Sequence, residues 1–212
     1  VLANPQLGAR VIRPDLLLQD IDKAQFALSE IDSVPGGIGV LAAMNQAYSK
    51  LGFRVIGGDK GMLEGMLSLG LNNGGQLWVS DESEDYRPEM QWLAEQLSTI
   101  SESEITCIRA EDGAFESLKH EQVLYRFFEM FDYTSIPAAR KSIANLTNDI
   151  PQMVAPMQYH LEEKLWLALF KLPSLRGFWQ QNLRESHRQD LAALIPTSWW
   201  FKQHDLPVTA SL

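Results

Sequence analysis

Strand-like and helix-like runs alternate along residues 10–110, and this alternation constrains the fold more than any other feature of the chain. Short runs at 53–56, 76–79 and 105–109 are rich in the β-branched and aromatic residues that strands favour. Because helix-like stretches separate these runs, the strands are expected to pair in parallel through crossover connections. The pattern predicts an α/β fold, a Rossmann-like domain with a mainly parallel sheet.

The clearest helix of this section covers residues 84–100, where apolar residues recur every three or four positions. The members of the series are Tyr86, Met90, Leu93, Leu97 and Ile100. Shorter helices are predicted over 38–51 and 60–69. Ahead of them, the extended runs 14–19 and 24–31 are joined by a polar turn and predict a β-hairpin.

After about residue 120 the pattern becomes mostly helical, with prolines as punctuation and strong helices predicted over 159–170 and 175–194. We therefore predict an α/β domain over 1–120 and a mostly helical section over 121–212. The tail residues Trp199, Trp200 and Phe201 are too apolar to face water without a partner surface. If that surface is missing from the chain, they are expected to join two chains as a homodimer.

Charge, hydropathy and cysteine content disfavour several kinds of partner and setting. The chain has 18 Lys and Arg against 27 Asp and Glu, a net charge of −9, which disfavours a nucleic-acid partner. No apolar run approaches the roughly 20 residues that cross a bilayer, and no signal peptide is visible, so no membrane partner is expected. With a single cysteine, Cys107, the chain can form no internal disulfide, and a cytoplasmic setting is predicted.

The densest group of candidate binding residues is Glu30, Asp32, Ser33, Gly36 and Gly37, where a predicted strand leads into a predicted helix. The two carboxylates face one side of the strand and repel each other unless they meet an ammonium group or a metal. The glycines allow close approach of the backbone and leave free N–H groups at the helix start. The simpler interpretation is a tight glycine turn beside solvated acids.

The same segment also fits a dinucleotide-binding pattern. Gly37, Gly39 and Ala42 match G-x-G-x-x-[GA], and Asp59 follows at about the expected distance. Two observations argue against it. The acids directly upstream would repel the negative charge of a pyrophosphate, and the preceding strand is predicted to belong to a hairpin rather than to a βαβ unit. This alternative is the weaker one.

Two arginines lie beside apolar runs, Arg13 before Pro14 and Arg126 within 123–127. A guanidinium in such a place commonly has a specific anionic partner, either a ligand or a neighbouring acid. No nucleophile elbow and no phosphate-binding loop occur in the sequence, and Cys107 lies within an apolar run, where a thiol is inert.

Three matched segments, Arg13-Pro14-Asp15, Glu30-Ile31-Asp32 and Gly36-Gly37, occur in the order found in eukaryotic-type glutathione synthetases. The chain resembles these enzymes and, more closely, the glutathionylspermidine synthase-like, circularly permuted ATP-grasp group. The resemblance is specific over residues 11–39. Asp32 stands where the synthetases have Asn, and the stretch before Gly36 is shorter.

The resemblance implies a pre-ATP-grasp domain that holds the substrate of an ATP-dependent carboxylate–amine ligase, an amino acid or a small peptide. Arg13 and Arg126 would grip a substrate carboxylate, and Glu30 and Asp32 an ammonium group. Ser33 and the amides of the glycine pair would complete the pocket.

ATP and Mg²⁺ are expected for an intact ligase, and the residues that would bind them are expected in a missing ATP-grasp domain. Phosphoryl transfer requires cationic groups and metal at the transferring phosphate. We therefore expect this chain to hold no cofactor and to be catalytically silent by itself. A non-catalytic binding or scaffold module is the alternative from another functional class.

Overall fold

The structure, a computed structural model, describes residues 8–144 and 152–200. The chain divides into two compact units, one comprising Val1–Ile12 and Ser33–Tyr159, the other Arg13–Asp32 and His160–Leu212. The elements in chain order are β1 (Arg13–Asp20), β2 (Gln25–Asp32), α1 (Ile38–Lys50), α2 (Gly61–Leu67), β3 (Gly75–Val79), α3 (Arg87–Ser101), β4 (Ile105–Arg109), β5 (Val123–Phe127), α4 (Pro137–Ala144), β6 (Gln152–Val154), α5 (Leu165–Lys171), α6 (Arg176–Asn182) and α7 (Glu185–Leu194).

The first unit contains a four-stranded sheet in the order β4-β3-β5-β6, and all of its neighbouring strands are parallel. The predicted α/β fold with a parallel sheet is confirmed, as are the strands at 76–79 and 105–109. This sheet with its helices is consistent with a Rossmann-like fold. The predicted division at residue 120 falls between β4 and β5, two strands of this one sheet.

One expected strand is absent, and one observed strand was not predicted. The run 53–56 forms no strand but an exposed connection between α1 and α2, in which Ile56 is 98% exposed. An apolar run of four residues becomes a strand only when a neighbouring strand satisfies its backbone groups. The strand position beside β3 is instead taken by β5, every residue of which is buried. Its sequence lies within the section predicted to be mostly helical.

The strands of this sheet separate two apolar clusters, because successive side chains point to opposite faces. Leu77 and Val79 of β3 contribute to the larger cluster, which α1, α2 and α3 complete. Trp78, between them in sequence, belongs to the second cluster with residues of α4. The predicted period of α3 is confirmed at its centre, where Met90, Leu93 and Leu97 are fully buried.

The second unit contains the β1–β2 hairpin, which is antiparallel as predicted, and the helices α5, α6 and α7. Helix α7 packs against β2. The helix predicted over 175–194 is interrupted between α6 and α7, where Leu183 and Arg184 have extended backbone. In the chain's described ranges, no helix is both long and apolar enough to span a bilayer.

Candidate functional site

Four charged residues share one face at the open end of the β1–β2 hairpin. Arg13 lies opposite Asp32, and Asp15 lies opposite Glu30. Directly opposed residues of an antiparallel pair project to the same side of the sheet, and so do residues two apart. Glu30 and Asp32 therefore share a face, as the sequence pattern predicts, and two residues of β1 join them there.

A β-bulge sets this register. Asp15 pairs with Glu30 while the next residue, Leu16, pairs with Leu28, so Ser29 is an extra residue in β2. Its hydroxyl donates to the carbonyl of Asp15 at 3.1 Å. Bulges commonly redirect the side chains that follow them.

The charged side chains of this hairpin face and of Lys164 form ion pairs. Nε of Arg13 lies 2.9 Å from Oδ1 of Asp15, and its Nη2 lies 3.5 Å from Oδ2 of Asp32. Nζ of Lys164, which directly precedes α5, lies 2.8 Å from Oε1 of Glu30. Three carboxylates thus face two cations. Partial burial lowers the pKa of Arg13, but the bond to Asp15 and the surrounding acids outweigh burial and raise it.

The glycine-rich segment meets α3 rather than open space. The carboxylate of Glu89 accepts the backbone N–H of Gly37 at 2.7 Å and that of Val40 at 3.1 Å. A Cβ on Gly36 would lie 2.5 Å from the Tyr86 ring, and one on Gly39 would lie 2.5 Å from the carbonyl oxygen of Glu89. Two of the N–H groups that a pyrophosphate would use at the start of α1 are therefore bonded to the chain's own carboxylate.

The remaining predicted binding residues are in the first unit. Ser33 is buried, and its Oγ has no hydrogen-bond partner within the described residues. Gly37 has a φ of +80°, which L-residues with side chains rarely adopt. The structure thus brings together Arg13, Glu30 and Asp32 in the second unit, while Ser33, Gly36 and Gly37 precede α1.

Arg126 is fully buried on β5 and bonds to backbone carbonyls. Its Nε donates to Ala155 at 2.7 Å, its Nη2 to Pro156 at 3.3 Å and its Nη1 to Phe128. The guanidinium also lies over the Phe128 ring, 5.4 Å from its centroid. These bonds join β5 to the segment that follows β6. The substrate-gripping role of Arg126 stays a prediction, beside this structural role.

A second polar site lies where β3, β4 and β5 end, and sequence reasoning missed it. Ser80 follows β3 and donates to Asp132, beyond β5, at 3.4 Å. Arg109, at the end of β4, contacts Asp81 at 2.5 Å, and the N–H of Asp81 donates to Glu111 at 3.0 Å. The carboxyl edge of a parallel sheet is the usual ligand edge, especially where the order of strands reverses. Because β5 was not predicted, this edge could not be assembled from the sequence.

The acids of this carboxyl edge have opposite pKa shifts. Burial raises the pKa of Asp132, and the nearby charges of Glu82 and Glu111 add to the rise. Hydrogen bonding to Arg109 lowers the pKa of Asp81. Acids outnumber cations here, so the edge suits an amine or another cation better than a phosphate.

No group of three or more His, Cys, Asp and Glu side chains in 8–144 and 152–200 is arranged to hold a metal ion. No protein-family model matches the chain, and no curated protein matches it. The likeness to the glutathione synthetases therefore stays a prediction, which rests on the matched segments of residues 11–39.

Proposed function

We propose that this chain is the substrate-binding, pre-ATP-grasp part of an ATP-dependent carboxylate–amine ligase, and that it binds an amino acid or a small peptide. The observation that carries the proposal is the charged face of the hairpin, where Arg13 stands beside Asp32 and Glu30. Such a substrate has a carboxylate and an ammonium group a few ångströms apart. A guanidinium suits the first by bidentate bonding, and paired carboxylates suit the second.

The ion pairs seen on this face suggest how the ligand would enter. Lys164 is well exposed, and exposed ion pairs contribute little to stability, so a substrate ammonium can replace its Nζ at the Glu30 carboxylate. Arg13 is about one-third exposed, and its guanidinium carries five N–H donors in a fixed geometry. The excess of one negative charge in this group of five favours an amine-bearing ligand over a simple anion.

A thermal-shift panel tests the proposal, with free amino acids, glutathione, γ-glutamyl dipeptides, polyamines, NAD(P) and ATP with Mg²⁺. A ligand at about 100 times its dissociation constant adds about 2.7 kcal/mol, a rise of several degrees for this size of chain. We expect a rise with an amino acid or peptide and none with ATP or NAD(P).

The variants Glu30→Gln and Arg13→Gln should abolish the rise. The matched control is Asp20→Asn, an acid of the same hairpin that bonds Lys23 in the turn and should leave the rise intact. A rise that persists in Glu30→Gln and Arg13→Gln, or silence with every amino acid and peptide, would contradict the proposal.

A further inference from the structure

One face of α1 exposes a continuous row of apolar side chains. Val40, Leu41, Met44, Tyr48 and Leu51 form this α1 stripe, and each is more than 40% exposed. Their spacing of three and four residues places them on one side of the helix. The residues that α1 buries, Ile38 and Ala42 among them, lie on the opposite side. The helix therefore has two apolar faces, and the core of its unit covers one of them.

The apolar surface continues beyond the end of the helix. The ring of Phe53 packs edge-to-face on Tyr48, with centroids 5.6 Å apart, and is itself 63% exposed. Ile56 follows it. From ordinary side-chain areas, the α1 stripe with Phe53 exposes about 600 Å², at the upper end of the largest patch of a typical monomer. It can therefore form most of one side of an interface of standard size, roughly 800 Å² per partner.

The charges around the α1 stripe fit a second copy of the chain. Residues 38–58 contain no acid, although the whole chain has 27, and their only charges are Lys50 and Arg54. Residues 38–58 therefore bring no carboxylate of their own into such a contact, where its desolvation would oppose association, and the Glu89 carboxylate lies only at the N-terminal end of the helix. We propose that the α1 stripe pairs two copies of this chain as a symmetric dimer in which the two α1 helices are antiparallel.

The antiparallel arrangement follows from the two ends of the helix. Lys50 and Arg54 lie at its C-terminal end, and the carboxylate of Glu89 lies at its N-terminal end. Antiparallel packing about a two-fold axis brings each basic end near the acidic end of the other copy. Parallel packing would instead place like charges together and align the helix dipoles unfavourably.

Sedimentation velocity of the full chain over roughly a hundredfold range of concentration tests the pairing. We expect the mass to move from one chain to two as the concentration rises. Met44→Glu and Tyr48→Glu each introduce two buried charges per dimer and should raise the dissociation constant about 100-fold or more. The matched control Leu17→Glu adds a charge at another exposed apolar site, in β1, and should leave it unchanged.

Cross-linking tests the geometry without relying on a destabilising change. In a Cys107→Ser background, Met44→Cys lies at the centre of the stripe and should form a disulfide between two copies under oxidation. Leu51→Cys lies seven residues away, about 10 Å along the axis, so antiparallel helices hold its two copies too far apart to bond.

A monomer at every concentration would overturn the inference, and it is the result expected if another domain or partner covers this face. A dimer that persists in Met44→Glu but is abolished by Trp199→Ala with Trp200→Ala would also overturn it. Efficient cross-linking through Leu51→Cys would be the third such outcome. A failure of ligand binding at the hairpin would leave all three results unaffected.

Discussion

Replacing Arg126 by Met separates its observed structural role from a role in gripping substrate. Met keeps most of the apolar stem, but it removes the donors that reach the carbonyls of Phe128, Ala155 and Pro156. A buried acceptor left without a partner costs about 1–3 kcal/mol. With partial relaxation, we expect Arg126→Met to lower the free energy of unfolding by about 3–5 kcal/mol, a loss comparable to breaking a buried ion pair.

Urea unfolding followed by circular dichroism measures this loss, and Arg109→Met is the matched control. Arg109 ends β4, another strand of the same sheet, but it is exposed and bonds to surface acids. Exposed ion pairs contribute about 0–1 kcal/mol, so the control should change stability little. Arg126→Lys, which keeps the charge and part of the hydrogen bonding, should lie between the two variants.

If Arg126→Met destabilised the protein by no more than Arg109→Met, the buried guanidinium would not be what joins β5 to the segment after β6. A stable Arg126→Met variant that loses substrate binding would instead assign Arg126 to the ligand. A folded, destabilised variant that still binds would assign it to the fold.

Three further predictions concern the first unit. Gly39→Ala should destabilise this unit by about 1–3 kcal/mol, because the new Cβ would meet the Glu89 carbonyl. Gly65→Ala in α2, where a Cβ would have nothing within 4 Å, should stabilise it by about 0.4–1 kcal/mol. Urea unfolding of the two variants measures both changes. Asp132 has a raised pKa in the folded state, so protonation of this carboxyl favours folding. That contribution to stability is complete below the ordinary pKa of about 3.9, and it is lost as the pH rises through the pKa of the folded state. Asp132→Asn should therefore be more stable than the natural chain at pH 7 and lose that advantage below about pH 4. Asp81→Asn should be less stable than the natural chain at pH 7, because the pKa of Asp81 is lowered in the folded state. Melting temperatures of both variants across pH test the two predictions. Burial raises the pKa of the Cys107 thiol to about 11. Alkylation by iodoacetamide at pH 8 should therefore be about 100-fold slower in the folded chain than in the urea-unfolded chain. Equal alkylation rates would contradict the burial of this thiol.

Local sequence signals predicted the elements whose formation depends on neighbouring residues. The hairpin, α3 and the strands β3 and β4 all follow from period and turn chemistry, which act over a few residues. The strand β5 was missed because its five residues are buried on every side and show no alternation. A short run of this kind resembles a piece of buried helix, and only its long-range pairing with β3 decides between them.

The predicted binding residues show the same limit. The shared face of Glu30 and Asp32 follows from the period of a strand, but the presence of Lys164 does not, because it comes from a distant part of the sequence. The glycines were predicted to allow a ligand to approach, and the structure uses two of them to admit Tyr86 and Glu89. Glycine permits close approach without specifying what approaches, so the sequence alone leaves that question open.

The helix α1 shows how such a mismatch can itself be informative. Large apolar residues occur on two sides of this helix, that of Ile38 and that of Met44 and Tyr48. Its own unit covers only the side of Ile38 and Ala42, and the α1 stripe remains exposed. We infer an interface there, because this apolar surface is left uncovered by the residues that the structure describes. The absence of acids from residues 38–58, in a chain with net charge −9, favours a partner with the same surface.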